Sequence, residues 1–491
     1  MGQANSGWKS QSGFIWAVLG SVVGFANVLS FSAQCYRNGG GAFLIPYFVA
    51  YLLLGLPMLL LEGVIGQKFA MPLVTAYGKK APVLGKYIGW IAIISCLTIG
   101  SFYIVLTAYS AMYTYFGAAG VIPDDTSYFF KYQFLQSTSS VLEMGSFSWQ
   151  IFAAVAAIGL FVWWTMIRDI SKGVETVCSM VMPLLTVFVV VFAIFSTFLP
   201  GALDGIIRFL RPDFSKLLDI SLWRDVFGQL FFSLSLGLGI ITGYSQYNGE
   251  SFNLRKSMTL VAIGDFVISF IAGWVVFASV GYMSFVSGVP FQEMIKSDSS
   301  FEIGFIIFPK ILKTFSLSWQ PVLSFVFFFC VFIAGITGVF SIVESVTGNV
   351  EREFGLSRKT SVTVVLGVLG TMAAFFCLGN GQHIIGELSS MVLGLTMILS
   401  AFAELIVFLF ITPAIRDDAI WFVNGKRRIS FYAIKYAVPV LLLSILAGGI
   451  AVDVAQLGVG FAIRWTWFAA ATIAAYTMMR IADTSKKVVY A

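Results

Sequence analysis

Histidine occurs once in this 491-residue chain, at His383, and aspartate, glutamate, lysine and arginine together make up only 11% of it. A water-soluble domain carries far more surface charge, so that class is excluded. Five cysteines, Cys35, Cys96, Cys178, Cys330 and Cys377, stand singly with neither metal-ligand spacing nor a pairing pattern, and read as packing residues. No cluster of histidine, cysteine and carboxylate offers a metal centre or a nucleophile with its base, so an enzyme is not expected. The start MGQANSGWKSQSG lacks the basic and then apolar build of a cleavable leader, which predicts that the first apolar run is retained. Its first six residues also fit an acylation signal, an anchor that a many-spanning chain does not need.

What remains is apolar: 58% of residues are hydrophobic, 49 are phenylalanine, and the mean hydropathy is +0.90. A membrane crossing takes about 20 mainly apolar residues. Such stretches recur near 13–35, 41–68, 87–116, 150–168, 174–199, 225–249, 258–286, 319–350, 360–379, 390–413, 430–453 and 463–482. The expected fold is therefore an all-α polytopic membrane protein of twelve transmembrane helices in a single domain, 1–491.

An even number of spans puts both termini on one side. Most basic residues, including Lys79, Lys80, Lys86, Arg358, Lys359, Lys426, Arg427, Arg428, Lys486 and Lys487, fall on that side, which predicts cytoplasmic termini. The net charge of +6 is then a topology signal, and no basic domain points to nucleic acid. Segments 117–149, 200–224 and 287–318 are the long outer loops, with Phe209, Leu210, Phe214, Leu217 and Leu218 predicting short helices on the outer surface. Short ends and the absence of any Asn-x-Ser/Thr sequon fit a bacterial inner membrane.

The run GSVVGFANVLSFSAQCYRNGGGAF, residues 20–43, interrupts an apolar stretch with small residues, one Asn and three glycines, and predicts a break inside the bilayer. Unpaired backbone groups in hydrocarbon cost several kcal/mol each, so such a break persists only where protein or a polar cavity satisfies it. Five spans later FFSLSLGLGIITG, residues 231–243, predicts a second break. Interruptions at corresponding places in two repeats point to a midplane binding site, a rule drawn in part from the family named next.

NGGGAFLIPYF at 38–48, LPMLLLEGVIGQ with Glu62, GQLFFSLSLGLG at 228–239, AGIT at 334–337, Glu344 and GLSRK at 355–359 occur in order along nearly the whole chain. Together they resemble the neurotransmitter:sodium symporters, most of all the bacterial amino-acid transporters. The resemblance implies a five-plus-five inverted repeat, about 13–199 and 225–413, discontinuous helices one and six, accessory helices at about 430–482, a central substrate site and two sodium sites.

Carried over residue by residue, the resemblance implies that the substrate carboxylate rests on the backbone of Val22, Gly24, Phe25 and Ala26 and on the Tyr103 hydroxyl. Gly24 stands where amine carriers of the family have Asp, which favours a substrate bringing its own carboxylate; Ala26 replaces the family's Gly. Ile99, Phe232, Leu238 and Ile342 form the implied apolar wall, with Ser235 and Gly338 as its small or polar members. A neutral, apolar amino acid is the expected substrate.

For the first sodium, the implied ligands are the Val22 carbonyl, Asn27, Ser233 and Asp265, which stands in place of Asn. A carboxylate within a span is costly unless paired, so Asp265 is a functional candidate; a protonated structural acid is the other reading. Tyr47, Gln229, Ser233 and Ser269 match the chloride site of chloride-dependent members. An anion beside an ionised Asp265 is repelled by about 4 kcal/mol at about 4 Å and an effective dielectric near about 20. Chloride is therefore not expected to be required. Gly20, Val23, Ala334 and Thr337 match the second sodium site, whose remaining hydroxyl is lost at Gly338.

The family's outer gate pair falls on Ser30 and Ser389, and its inner latch pair on Asn5 and Arg352, while Trp8, Gln246 and Tyr247 stay in place. Losing both partners of an ion pair is far cheaper than losing one. Three readings follow: gates closed by hydrogen bonds such as Ser30 to Ser389, altered coupling or substrate, or drift at solvated rims. The leading expectation is a sodium-coupled symporter working by alternating access. A same-fold sensor or gated channel is the rival, and oligomeric state is not legible.

Overall fold

The structure, a computed structural model, describes residues 7–249, 251–294, 303–315, 318–455 and 457–489, without the side chains of 220 and 485–489. Asn5 and the first six residues lie outside the described residues. Among the described residues eight helices are long and apolar enough to cross a membrane: Gly41–Phe69, Leu84–Ala118, Trp149–Met166, Val174–Thr197, Leu254–Ser287, Gln320–Phe354, Gly381–Phe410 and Ile429–Ala455. They are spans two, three, four, five, seven, eight, ten and eleven of the expected series. Span one is the bent pair Gln11–Val22 and Ala26–Arg37, which turns by 52° at its break. Span six is Ile220–Leu234 followed by Ile240–Ser245, and spans nine and twelve are the less apolar helices Arg358–Phe375 and Val459–Val489.

Several helices outrun the apolar stretches that announce them. Span ten begins at Gly381, well before 390, because the polar run QHIIGELSS continues the same helix and places Ser389 within it. The outer helices expected near 209 and 214 are present as Ala202–Leu210 and Phe214–Leu218, and Phe209 is buried while Leu218 is exposed. Between spans ten and eleven Phe422–Val423 pairs with Lys426–Arg427, closed by Asn424 and Gly425 at positive φ, as a two-residue Asn-Gly hairpin requires. All five cysteines are buried and unpaired, and His383 is tied to the Thr138 carbonyl at 3.0 Å on an exposed rim.

Span three lies along span eight as the central contact of the bundle, and the first half of span one packs on spans five, seven and eight. The helix of span one starts at Ser10, whose hydroxyl accepts the Gly13 amide, and stops at Val23, whose backbone is extended at φ −83 and ψ 100. Span six stops at Ser235, a non-glycine residue at φ +52, and restarts after Gly237 and Gly239 at φ +74 and +69. Both breaks therefore sit at mid-span and face each other: the Ser235 hydroxyl donates to the Ser21 carbonyl at 3.2 Å.

At Gly237 a side chain is excluded twice over, by its left-handed backbone and by the Met397 carbonyl and Ala401 amide against which a Cβ would press. Gly120 has a comparable φ of +67 but open space around it. Gly237→Ala is expected to lower stability by at least about 1–3 kcal/mol, and by more than Gly120→Ala; thermal unfolding of the purified variants in detergent measures the difference.

Candidate functional site

The break in span one is organised by Asn27. In a continuous helix the Gly24 amide would bond to the Gly20 carbonyl; here it donates to Asn27 Oδ1 at 2.9 Å. The Phe25 amide likewise turns to the Tyr103 hydroxyl at 3.3 Å. Carbonyls at the end of the first half-helix, those of Gly20, Val22 and Val23, thereby lose their helical partners, and the negative end of that helix faces the break. Such an end favours a cation.

The other face of Asn27 meets three spans. Its Nδ2 donates to Asp265 Oδ1 at 2.7 Å, to Ser269 Oγ at 2.8 Å and to Ser233 Oγ at 3.0 Å. Ser233 donates to Asp265 Oδ1 at 3.0 Å, and Tyr51, which the sequence reading missed, donates to Asp265 Oδ2 at 3.0 Å. Asn27, Ser233, Asp265 and Ser269 are completely buried. Among the described residues no Lys, Arg or His pairs with Asp265, and the buried Tyr47 hydroxyl has no hydrogen-bond partner. Neutral donors leave a buried carboxylate without charge compensation, and the oxygen-rich donor set around it suits a hard monovalent cation.

The second set converges between spans one, five and eight. A Cβ on Gly20 would lie 3.1 Å from Thr337 Cβ and 3.3 Å from Met182. The Thr337 hydroxyl bonds back to Ile333 and Ala334 carbonyls at 3.2 Å each, keeping its lone pairs free. Gly338 contributes no oxygen there; a Cβ on it would press on the Tyr103 hydroxyl at 2.7 Å.

Beside these sets lies a small cavity of about 20 Å³ lined by Val22, Gly24, Ala26, Ile99, Tyr103 and Phe232, and further by Ser235, Leu238, Gly338 and Ile342. Ser21, Ile240 and Ser341 join them without having been singled out from sequence. Phe25 does not line it: its ring tilts against Tyr103 at 4.7 Å and lies over Gly335. No charged side chain reaches this cavity, whose volume holds little more than one water.

Above it a cavity of about 500 Å³ contains both Ser30 and Ser389. They do not bond to each other: Ser30 donates to Gln229 Oε1 at 2.7 Å and Ser389 to the Gly386 carbonyl at 3.0 Å within its own helix. Gln229 in turn donates to the Ala26 carbonyl at 2.8 Å, so it braces the span-one break. Charge at this mouth comes from Arg224 and Asp225 of span six and from Arg464 of span twelve, which pairs with Glu387 and, at 2.6 Å, with Asp453.

The model of the sodium:neurotransmitter symporter family matches residues 5–123 and 119–489. The chain belongs to that family. It is 33% identical to an uncharacterized sodium-dependent transporter of Methanocaldococcus jannaschii over 86% of this chain and 82% of that one. It is 29% identical to the sodium-dependent dopamine transporter of Bos taurus over 90% of this chain and 69% of that protein. A sodium- and chloride-dependent GABA transporter 2 of Homo sapiens is 28% identical, over 76% and 66% respectively. The relatives are sodium-dependent transporters, which supports the use of sodium, and the family is one of carriers in membranes for small molecules.

The end of the bundle that carries Trp8 is held by residues that were legible only as family motifs. Trp8 donates to the Tyr244 carbonyl at 3.0 Å and packs on that ring. Tyr247 donates to Glu344 Oε1 at 2.8 Å, and Arg358 grips both oxygens of Glu344 at 3.1 and 2.5 Å. Gly355, at φ +66, ends span eight and turns the chain back so that Arg358 reaches Glu344. Arg352 and Gln246 line an inner cavity of about 420 Å³ beside this pair. Glu175 of span five is a further tie, accepting the Lys9 and Ser10 amides at 2.8 and 3.2 Å.

Glu344 is fully buried, whereas the Arg358 side chain is 23% exposed and keeps a second carboxylate, Glu351, at 3.8 Å. Arg358→Met is therefore expected to destabilise by about 3 kcal/mol by stranding a buried anion, and Glu344→Gln by less. The double variant E344M/R358M is expected to recover part of the loss, a pattern that a double-mutant cycle on unfolding midpoints reads out.

Proposed function

We propose that this family member is a sodium-coupled symporter that imports a neutral, apolar amino acid by alternating access, using two five-span repeats with broken spans one and six. The observation that carries the reading is the central cavity's lining: backbone and hydroxyl groups at Gly24 and Tyr103, apolar walls from Ile99, Phe232, Leu238 and Ile342, and no charged side chain. A zwitterion can place its carboxylate against the span-one break and its side chain against that wall. The small cavity volume means that spans one and six must move against spans three and eight to admit it.

Sodium, as co-transported cargo, is assigned first to Val22, Asn27, Ser233 and Asp265. Gly20, Val23, Ala334 and Thr337 form a second, poorer set because Gly338 supplies no hydroxyl. Cation binding between Asp265 and the Val22 carbonyl would draw Asn27 with it, and Asn27 holds Gly24; ion and substrate affinity are thereby linked in both directions. Asp265 takes over the negative charge that chloride supplies in chloride-dependent members, so the positions Tyr47, Gln229, Ser233 and Ser269 need no anion. Cytoplasmic termini in a bacterial inner membrane complete the proposal.

The second reading, a same-fold amino-acid sensor or a carrier with altered ion coupling, draws on the gate positions, where Ser30 and Ser389 carry no charge and do not meet. Proteoliposomes separate the two: symport predicts uphill accumulation of an amino acid under an inward sodium gradient, whereas binding without accumulation supports the sensor. Screening the amino acids for sodium-dependent thermal stabilisation identifies the substrate. Asp265→Asn is expected to raise the sodium concentration needed for half-maximal stabilisation by at least about tenfold, equivalent to about 1.4 kcal/mol. Replacing chloride by gluconate is expected to leave uptake unchanged, and chloride dependence would refute the role given to Asp265.

A further inference from the structure

The end of the bundle opposite Trp8 carries an open cavity of about 810 Å³, none of whose lining residues belongs to the ion or substrate sets. Four basic side chains line it, Arg37, Arg208, Arg211 and Lys216, against two acidic ones, Asp204 and Asp213. In the orientation proposed above this is the outer end, which membrane proteins keep poor in Lys and Arg. Topology therefore does not account for the cluster.

The carboxylates leave the cations largely free. Asp213 Oδ1 accepts the Ser215 amide at 3.0 Å and the Ser215 hydroxyl at 2.6 Å. Asp204 stands one turn before Arg208, yet among the described residues neither Arg208 nor Arg211 forms an ion pair. Arg208 lies over the Phe291 ring at 5.2 Å, a contact that leaves its donors open. Arg37 shares Asp225 with Arg224, at 4.0 and 3.8 Å, and Lys216 reaches the Asn38 carbonyl at 3.5 Å. Guanidinium forks with unused donors suit a phosphate, whose oxygens they bind in pairs.

The floor of the cavity is fixed by close packing. A Cβ on Gly40 would press on the Arg208 carbonyl, so the turn between spans one and two sits directly on the helix Ala202–Leu210. That helix is fastened in turn to span seven: a Cβ on Gly205 would press on the Phe277 carbonyl, and the Phe209 and Phe277 rings lie 5.0 Å apart. Its other face carries Leu203, Ile207 and Leu210, spaced as one stripe and exposed beside Arg208 and Arg211. Phe214 is exposed too, and Leu218 is 91% exposed. An apolar stripe flanked by arginines belongs at the boundary of headgroups and acyl chains. A soluble anion would use the charges alone; a lipid uses both.

We propose that this cavity binds the phosphate of an anionic phospholipid through Arg208, Arg211, Lys216 and Arg37, with the acyl chains lying along Leu203, Ile207 and Leu210. The bound headgroup bridges the end of broken span one to the helix that rests on span seven. The site stands apart from the substrate and sodium assignments.

Native mass spectrometry of the purified full-length protein, titrated with phosphatidylglycerol or phosphatidylcholine in mild detergent, tests it. One phosphatidylglycerol per chain is expected to bind in preference to phosphatidylcholine. Its affinity is expected to fall at least about tenfold in R208Q/R211Q and to stay unchanged in K79Q/K426Q, whose lysines are exposed at the Trp8 end. Both arginines are exposed, so the double variant is expected to fold. R211Q alone, which breaks no ion pair among the described residues, is expected to weaken binding in the same direction. Phosphatidylglycerol is expected to raise the unfolding midpoint of the wild type, and soluble glycerol phosphate to leave it in place. Equal binding of the two lipids, an equal loss in K79Q/K426Q, undiminished binding in R208Q/R211Q and R211Q, or the same stabilisation by glycerol phosphate overturns the proposal.

Discussion

Every polar backbone group freed by breaking a helix inside a bilayer must find a partner within the protein, and this demand arranges the whole centre of the molecule. The partners are side chains of neighbouring spans. Asn27 takes the Gly24 amide, Tyr103 the Phe25 amide, Gln229 gives to the Ala26 carbonyl and Ser235 to the Ser21 carbonyl. In span six, Glu62 takes the Gly237 amide and Ser345 gives to the Leu238 carbonyl at 3.1 Å. The breaks are thus held by single hydrogen bonds from separate helices. Such bonds are worth little net but are expensive to leave unmade, so helices that move must exchange these partners together.

Charge follows the same economy. Asp265, Glu344 and Glu62 are all completely buried, and each is met differently: by neutral side-chain donors, by a bidentate arginine, and by a backbone amide of the span-six break. Ser30 and Ser389 are uncharged and bond locally, to Gln229 and to the Gly386 carbonyl, while Arg352 keeps its charge beside the cavity lined by Gln246. At one end of the bundle Tyr247, Glu344 and Arg358 are linked, and at the other Arg464 holds Glu387 and Asp453.

Much of this was legible in the sequence because residue type and depth determine it. The interruptions at 20–43 and 231–243 appear as the breaks of spans one and six, Asp265 is buried among polar side chains, and residues from Ile99 to Ile342 line one cavity. What stayed hidden depends on geometry that spacing does not encode. Phe25 leaves the cavity wall because its ring finds Gly335 and Tyr103. Ser30 bonds to Gln229 rather than Ser389 because the helix of span one brings it over span six. Tyr51 carries no motif, and only the packing of span two on span seven shows that it faces Asp265. Arg358 reaches Glu344 only because Gly355 reverses the chain, a single left-handed residue between two ordinary-looking segments. Asn5 falls outside the described residues.

The cluster of Arg464, Glu387 and Asp453 joins the start of span ten to the end of span eleven and to span twelve at the mouth of the cavity that holds Ser30 and Ser389. Trp465 adds a bond to Asp453 at 2.5 Å, fixing that carboxylate from a second side. These helices turn much of their surface outward, toward the acyl chains. The wall of that cavity is thus tied by charge to helices at the edge of the bundle, not only to the broken spans at its centre.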